Sequence, residues 1–275
     1  MRVLVTGAAG MLGRDLVTHL ADRHEVTAVD LEVDVTDPVA VRSCVAGCRP
    51  EAVFHLAAWT DVDAAEAHED EAAAVNGEGA GIVAAAASEA GAAVVLPSTD
   101  YVFDGSKGAP YDEDDAPAPL GAYGRTKLAG ERAALARHPG GTRVARTAWL
   151  YGAGGRNFVD TMRRLGAERD EVEVVDDQTG SPTWTRDLAP ALEALLDRPA
   201  GVYHAAGAGA VTWAGLAQAV FDRTGCPCRV RPVTTEAIGR PAPRPRYSAL
   251  VTARPGAPRL RDWREGLADY LEESA

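Results

Sequence analysis

The sequence predicts an α/β fold in which a doubly wound parallel sheet carries helices on both faces and a smaller C-terminal lobe completes the chain. Three observations lead there. Short apolar β runs alternate with segments of helical periodicity from the first residues onward. A glycine-rich turn separates the first run from the first helix. Past about residue 226 the composition changes, with seven prolines between Pro227 and Pro258 and only short strand-like runs.

In order, Val3-Leu4-Val5 is an apolar strand ending at Thr6-Gly7, Leu12 to Arg23 is helical, and Val26-Thr27-Ala28-Val29 is a second strand ending at Asp30. The alternation continues with a helix from about Asp37 to Ala46, a strand Ala52 to Leu56, a long helix ending near Ala90 and a strand Ala93 to Pro97. A helix Gly121 to Arg137, a strand Thr142 to Arg146, a helix Phe158 to Leu165 and a strand Val172 to Val175 follow. Strands separated in this way by helices require right-handed crossovers, hence a parallel sheet covered on both faces. This is a Rossmann-like arrangement. We expect residues 1–150 to form the sheet domain, with a return segment around 180–205, and residues 151–275 to form most of the lobe. The run Arg240-Pro241-Ala242-Pro243-Arg244-Pro245-Arg246 is too proline-rich for a helix interior or a central strand. It reads as an ordered loop around the lobe with its arginines facing a ligand, because an amphipathic segment, Leu260 to Leu271, follows and must pack on something.

A chain of 275 residues can bury a substantial core. With 40 acidic against 28 basic residues its net charge is −12, a field that repels nucleic acid and anionic membrane surfaces. The first residues enter a strand with no secretory leader pattern, and the Ala-rich stretch Gly79 to Ala93 is interrupted by Ser88, Glu89 and Gly91, so a cytoplasmic protein without a membrane span is expected. Cys44/Cys48 and Cys226/Cys228 miss the usual zinc-knuckle spacing and read as reduced structural thiols. No metal site is expected.

Gly7-Ala8-Ala9-Gly10-Met11-Leu12-Gly13 lies between the first strand and the first helix, where backbone amides and the positive helix end can accept a pyrophosphate. An acid at the end of the second strand, Asp30, completes the dinucleotide pattern. Its carboxylate suits the adenosine ribose hydroxyls and opposes a 2′-phosphate, and Leu31-Glu32-Val33 offers no cation to neutralise one. The cofactor expected is therefore NADH or NADPH, with NADH used at least as well.

Tyr123 and Lys127 stand four residues apart on the helix Gly121 to Arg137, so their polar ends share a face. A cation there favours tyrosinate, so the phenol is expected to titrate below its ordinary value of about 10 and to serve as the acid in a carbonyl reduction.

The glycine turn, His55-Leu56-Ala57-Ala58-Trp59-Thr60-Asp61-Val62-Asp63, Ser98-Thr99-Asp100-Tyr101-Val102-Phe103-Asp104-Gly105 and the Tyr/Lys helix together resemble the extended short-chain dehydrogenases/reductases. More narrowly they are similar to the dTDP-4-dehydrorhamnose reductases, a likeness extended by Arg146 to Gly152, Asn157-Phe158, Asp177 to Thr183, Tyr203-His204 and Tyr247 to Leu250. The resemblance implies hydride transfer from a nicotinamide to the C4 ketone of a dTDP-4-keto-6-deoxyhexose, with dTDP-4-dehydro-β-L-rhamnose the foremost substrate. A ketone of a dihydrostreptose or antibiotic deoxysugar pathway is the alternative, and a non-catalytic nucleotide-binding regulatory subunit is a third reading.

Carried over by residue, the resemblance implies Tyr123 as proton donor, Lys127 on the nicotinamide ribose and Thr99 as the hydroxyl bonding the ketone oxygen. It adds Met11, Leu12, Asp34, Val35, Leu56, Ala57, Ala58 and Thr60 as cofactor contacts beside Gly7, Gly10, Gly13 and Asp30. It places Asp100, Tyr101 and Trp149 near the sugar, and Asn157, Gln178 and Arg246 near the nucleotide diphosphate. Bland readings stand beside these: Thr99 as a strand-end cap, Trp149 as core, and the last three as surface polar residues. The chain departs from the family in having His55 for the usual Asn, Trp59 where Tyr or His is frequent, and Pro97 where Tyr is common. The indole at 59 is expected to reshape the sugar pocket. Metal-dependent dimerisation is not carried over, and the oligomeric state is open, a homodimer being one outcome.

Overall fold

Strand β1 (Arg2–Thr6) sets the layers by its alternation, Val3 and Val5 entering one core and Leu4 another. The structure is a computed structural model and describes residues 1–274. Helix α1 (Met11–Ala21) follows the glycine turn, and β2 (Glu25–Val29) returns parallel to β1. Helix α2 (Pro38–Cys48) starts where the Asp37 carboxylate accepts the Val39 N–H at 2.7 Å and Pro38 fills a position needing no N–H. Strand β3 (Ala52–His55) is buried throughout.

The next segment corrects the expectation of one long helix. It comprises α3 (Val62–Ala67), α4 (Glu69–Ala73), a π-helical stretch Ala74–Gly79 and α5 (Ala80–Glu89). The reason is tertiary: the buried Asn76 side chain accepts the Trp59 N–H at 2.9 Å and donates to the Trp59 carbonyl and to Thr126 Oγ1, both at 3.1 Å. Those bonds outweigh local periodicity.

Strand β4 (Ala93–Thr99) runs on past Pro97, which is tolerated because β3 pairs with β4 only through Val95. Helix α6 (Ala122–Arg137) and β5 (Thr142–Thr147) follow. Next come β6 (Leu150–Tyr151), α7 (Phe158–Glu168), β7 (Glu171–Val175), β8 (Thr179–Gly180), β9 (Thr183–Trp184) and α8 (Thr185–Ala194). The chain closes with β10 (Gly201–His204), β11 (Val211–Thr212), α9 (Trp213–Thr224), β12 (Arg229–Val233), α10 (Thr235–Ile238) and α11 (Trp263–Glu273).

The central sheet has six parallel strands in the order β10-β5-β4-β3-β1-β2. On one face Leu12, Leu16 and Leu20 of α1 and Leu188 and Leu192 of α8 pack on Val3, Val5, Phe54 and Val95. On the other, Val41 and Val45 of α2 and Val83 and Ala87 of α5 cover Leu4, Val53 and Val94. The run Val172 to Val175 is a strand but does not continue this sheet: β7 pairs with β12, and β10 is the sheet's last strand in sequence. Val172 and Val174 belong instead to a second core with Val159 and Met162 of α7, Val220 and Phe221 of α9, and Trp263, Leu267 and Tyr270 of α11. Among the described residues no helix is long and apolar enough to cross a membrane, all four cysteines are free, and no cluster of three metal-ligating side chains occurs.

Candidate active site

The carboxyl ends of β1, β3, β4 and β5 open onto a cavity of about 630 Å³ that also meets the lobe, the position where open parallel sheets hold ligands. Its floor is the glycine turn. Gly7 has φ +68°, and a Cβ there would lie 2.5 Å from the Ala57 nitrogen; a Cβ on Gly13 would strike the Gly7 carbonyl, so α1 seats directly on the turn. A Cβ on Gly10 would meet only the Gly7 carbonyl, at 3.4 Å, an ordinary contact. Gly10 caps α1 with no side-chain bond, and the first turn holds no acid. The amides of Met11, Leu12 and Gly13 therefore present an uncompensated positive helix end to the cavity they line. That is the donor set a pyrophosphate requires.

Leu56, Ala58 and Thr60 also line the cavity. Asp30, Asp34, Val35 and Ala57 do not. Asp30 Oδ2 accepts the Ala9 N–H at 2.7 Å and so braces the turn from outside. Asp34 is engaged with Thr36, Val35 is core, and Ala57 supports Gly7 through its backbone. His55 lies beneath the turn, fully buried, with Nδ1 2.8 Å from Thr6 Oγ1. Desolvation and then the nearby Lys127 charge depress it to about 3, so it is neutral.

Tyr123 and Lys127, one turn apart on α6, both reach the cavity. The expectation for the phenol is corrected: burial and then the Asp100 charge push Tyr123 up to about 12, while the Thr99 hydroxyl acts in the opposite direction. Lys127 takes the cost instead, falling to about 8 through desolvation against the restoring charge of Glu131. Its ammonium donates to the Pro97 carbonyl at 2.8 Å. Spacing foretold the neighbours but not the dielectric around them. A raised phenol remains a proton donor, since it stays protonated across the neutral range and is still a stronger acid than the alcohol it would form.

Thr99, Asp100, Tyr101 and Trp149 all line the cavity. Thr99 also caps the turn after β4, accepting the Tyr101 N–H at 3.1 Å. The Tyr101 ring meets Tyr123 edge-on at 5.9 Å and separates the main cavity from a second one of about 270 Å³. Trp149 has φ +49° and stacks on Trp213 at 3.4 Å, so one indole face is covered by protein.

Asn157 caps α7, accepting the Asp160 N–H at 2.9 Å and donating to the Gly152 carbonyl at 2.9 Å, and it lines neither cavity. Gln178 borders the second cavity, its amide bonded to Thr235 and to the Trp213 indole. Arg246 is exposed and borders neither cavity; Arg240 and Arg244 of the same proline-rich loop do, and both bind Asp63 of α3. The Trp59 indole donates to the Asp61 carbonyl and packs beside α6, while its neighbours Ala58 and Thr60 line the main cavity. Sequence reading missed Trp213, Arg156 and Ser248; only the proline-rich run signalled Arg244.

The chain is 51% identical to the dTDP-4-dehydrorhamnose reductase of Streptomyces griseus, over 98% of this chain and 92% of that one. It is 48% identical to a probable dTDP-4,6-dihydroxy-2-methyloxan-3-one 4-ketoreductase of Streptomyces antibioticus, over 99% of this chain and 95% of that one. The crystal structure of dTDP-4-dehydrorhamnose reductase from Bacillus anthracis in complex with NADP superposes with a TM-score of 0.96 at 39% identity, covering 99% of each chain. The family model described as the RmlD substrate binding domain matches residues 1–275, and the chain belongs to that family.

Proposed function

We propose that the protein reduces the C4 ketone of a dTDP-4-keto-6-deoxyhexose with a nicotinamide dinucleotide, dTDP-4-dehydro-β-L-rhamnose being the foremost substrate. One observation carries the reading: a single cavity runs from the glycine turn to Tyr123, Lys127 and Thr99. The similarity to reductases of dTDP-sugars supports the substrate class. The uncapped amides at Met11, Leu12 and Gly13 fit the pyrophosphate, and Asp30 beside them fits the adenosine ribose. When bound, the nicotinamide supplies a hydride to the electrophilic carbon. Tyr123 then donates its proton to the oxygen that gains charge, and Thr99 stabilises that oxygen by a hydrogen bond. The Lys127 ammonium adds positive potential at the same wall. Trp149, stacked on Trp213, lines the cavity wall where the sugar would pack, and Arg240 and Arg244 suit the nucleotide diphosphate.

NADH is used at least as well as NADPH, because Asp30 opposes a 2′-phosphate and no cation follows it. A second substrate reading, reduction of another dTDP-4-keto sugar, is favoured by the 48% identity to the antibiotic-producer ketoreductase. Purified protein, each dinucleotide and a panel of dTDP-4-keto sugars, followed by loss of near-ultraviolet absorbance and by NMR of the product, separates the two. A tenfold or greater NADPH preference in kcat/KM would overturn the cofactor assignment, and no turnover with any sugar would overturn the reaction.

A further inference from the structure

On the ketoreductase reading above, the Thr99 hydroxyl must be aimed at the ketone oxygen. A hydroxyl has one proton to give and two lone pairs to receive with. Thr99 Oγ1 already accepts the Tyr101 N–H at 3.1 Å and lies 3.2 Å from Asp100 Oδ1. If Asp100 is ionised it can only accept, so the Thr99 proton turns onto the carboxylate and nothing remains for a ketone oxygen. If Asp100 is protonated it donates into the second lone pair, and the Thr99 proton is released toward the cavity.

We propose that Asp100 is a positioning residue whose neutral form turns the Thr99 hydroxyl from an internal bond to a donor aimed at the ketone oxygen. The surroundings suit that role. Asp100 is 2% exposed, and its other oxygen accepts the Ser248 hydroxyl at 2.5 Å, a bond reaching across from the far end of the chain. Burial pushes Asp100 up to about 7, while Ser248, Thr99 and then the Trp149 indole N–H pull it back toward the carboxylate. The titratable groups around it are Tyr101 and Tyr123, which both feel its charge, Arg244, which acts on Tyr101, and Lys127 on the same cavity wall. Ser248 does not line the cavity, so altering it tunes Asp100 without removing a cavity-lining group.

The test is the pH profile of kcat for the wild type and for Asp100→Asn, Asp100→Ala and Ser248→Ala, with ¹³C NMR titration of the Asp100 carboxyl. Wild-type kcat is expected to fall above about pH 7. Asp100→Asn keeps an N–H to donate to Thr99 and cannot ionise, so its alkaline limb moves up to that of Lys127, about 8. Asp100→Ala offers Thr99 no donor and should be roughly tenfold or more slower than the Asn variant near pH 6, a rescue that a merely structural role would not give. Ser248→Ala removes a bond to the charged form, so it should raise both the limb and the NMR titration. Coincident limbs for wild type and Asp100→Asn, equal rates for the Ala and Asn variants, or a carboxyl titrating in the ordinary carboxylate range would each overturn the proposal. Absence of turnover with every sugar would overturn the reading beneath it, whereas turnover with coincident limbs would overturn the proposal alone.

Discussion

Replacing His55 by Asn should change how stability depends on pH, by an amount that follows from where the imidazole sits. His55 is buried, depressed from 6.5 to about 3 by desolvation, and braces Thr6 at the start of the glycine turn. Its folded value lies below its unfolded one. The stabilisation is therefore complete above about 6.5 and is lost progressively as pH falls toward 3, since the unfolded chain takes the proton first. The slope is about 1.4 kcal/mol per pH unit, or roughly 2 kcal/mol lost by pH 5. Asp100 has the opposite sign: its folded value is raised from 3.8 to about 7, so its contribution is lost as pH rises through that window and partly cancels the imidazole in the wild-type curve. The difference between wild type and His55→Asn removes that overlap. Urea unfolding with linear extrapolation at about pH 5 and 7.5 should give a wild-type advantage larger by roughly 2 kcal/mol at the higher pH. An equal difference at both values would mean that His55 is not held neutral by burial.

Further outcomes follow from packing and from the glycine turn. Arg146 and Glu131 form a bidentate pair at 2.9 and 2.7 Å with side chains 5% and 3% exposed, so Arg146→Met strands a buried carboxylate and should cost about 3–5 kcal/mol in urea unfolding. Adding Glu131→Leu should recover most of that loss. Gly13→Ala drives a methyl into the Gly7 carbonyl and should lower Tm by several degrees, whereas Gly10→Ala meets only ordinary contact and should keep Tm while weakening NADH binding about tenfold or more by thermal shift.

What could be read from the sequence was local. The alternation of Val3, Leu4 and Val5 and the glycine turn carry their own periodicity and turn chemistry, and both appear where expected. The break at Asn76 did not show, because its partners Trp59 and Thr126 lie far along the chain. The direction of the Tyr123 shift is hidden from the sequence for a related reason: helical spacing reports a neighbouring ammonium, whereas desolvation depends on every element packed around the phenol. Trp213 reaches the site from the lobe with no short motif to mark it, and Ser248, although it stands in the family-like run Tyr247 to Leu250, meets the site only through Asp100. Asn157 was legible in principle, since an Asn before a helical run with an acid three residues on is an N-cap signature.

Tyr123→Phe, measured for both kcat and NADH affinity, bears most directly on the chemistry assigned to this cavity. Shape and burial persist while the phenolic proton is lost, so kcat with the best dTDP-4-keto sugar should fall by roughly 10²-fold or more with NADH Kd nearly unchanged. A variant that keeps near-normal kcat would show that the proton comes from elsewhere, and the role given to Tyr123 would have to be abandoned.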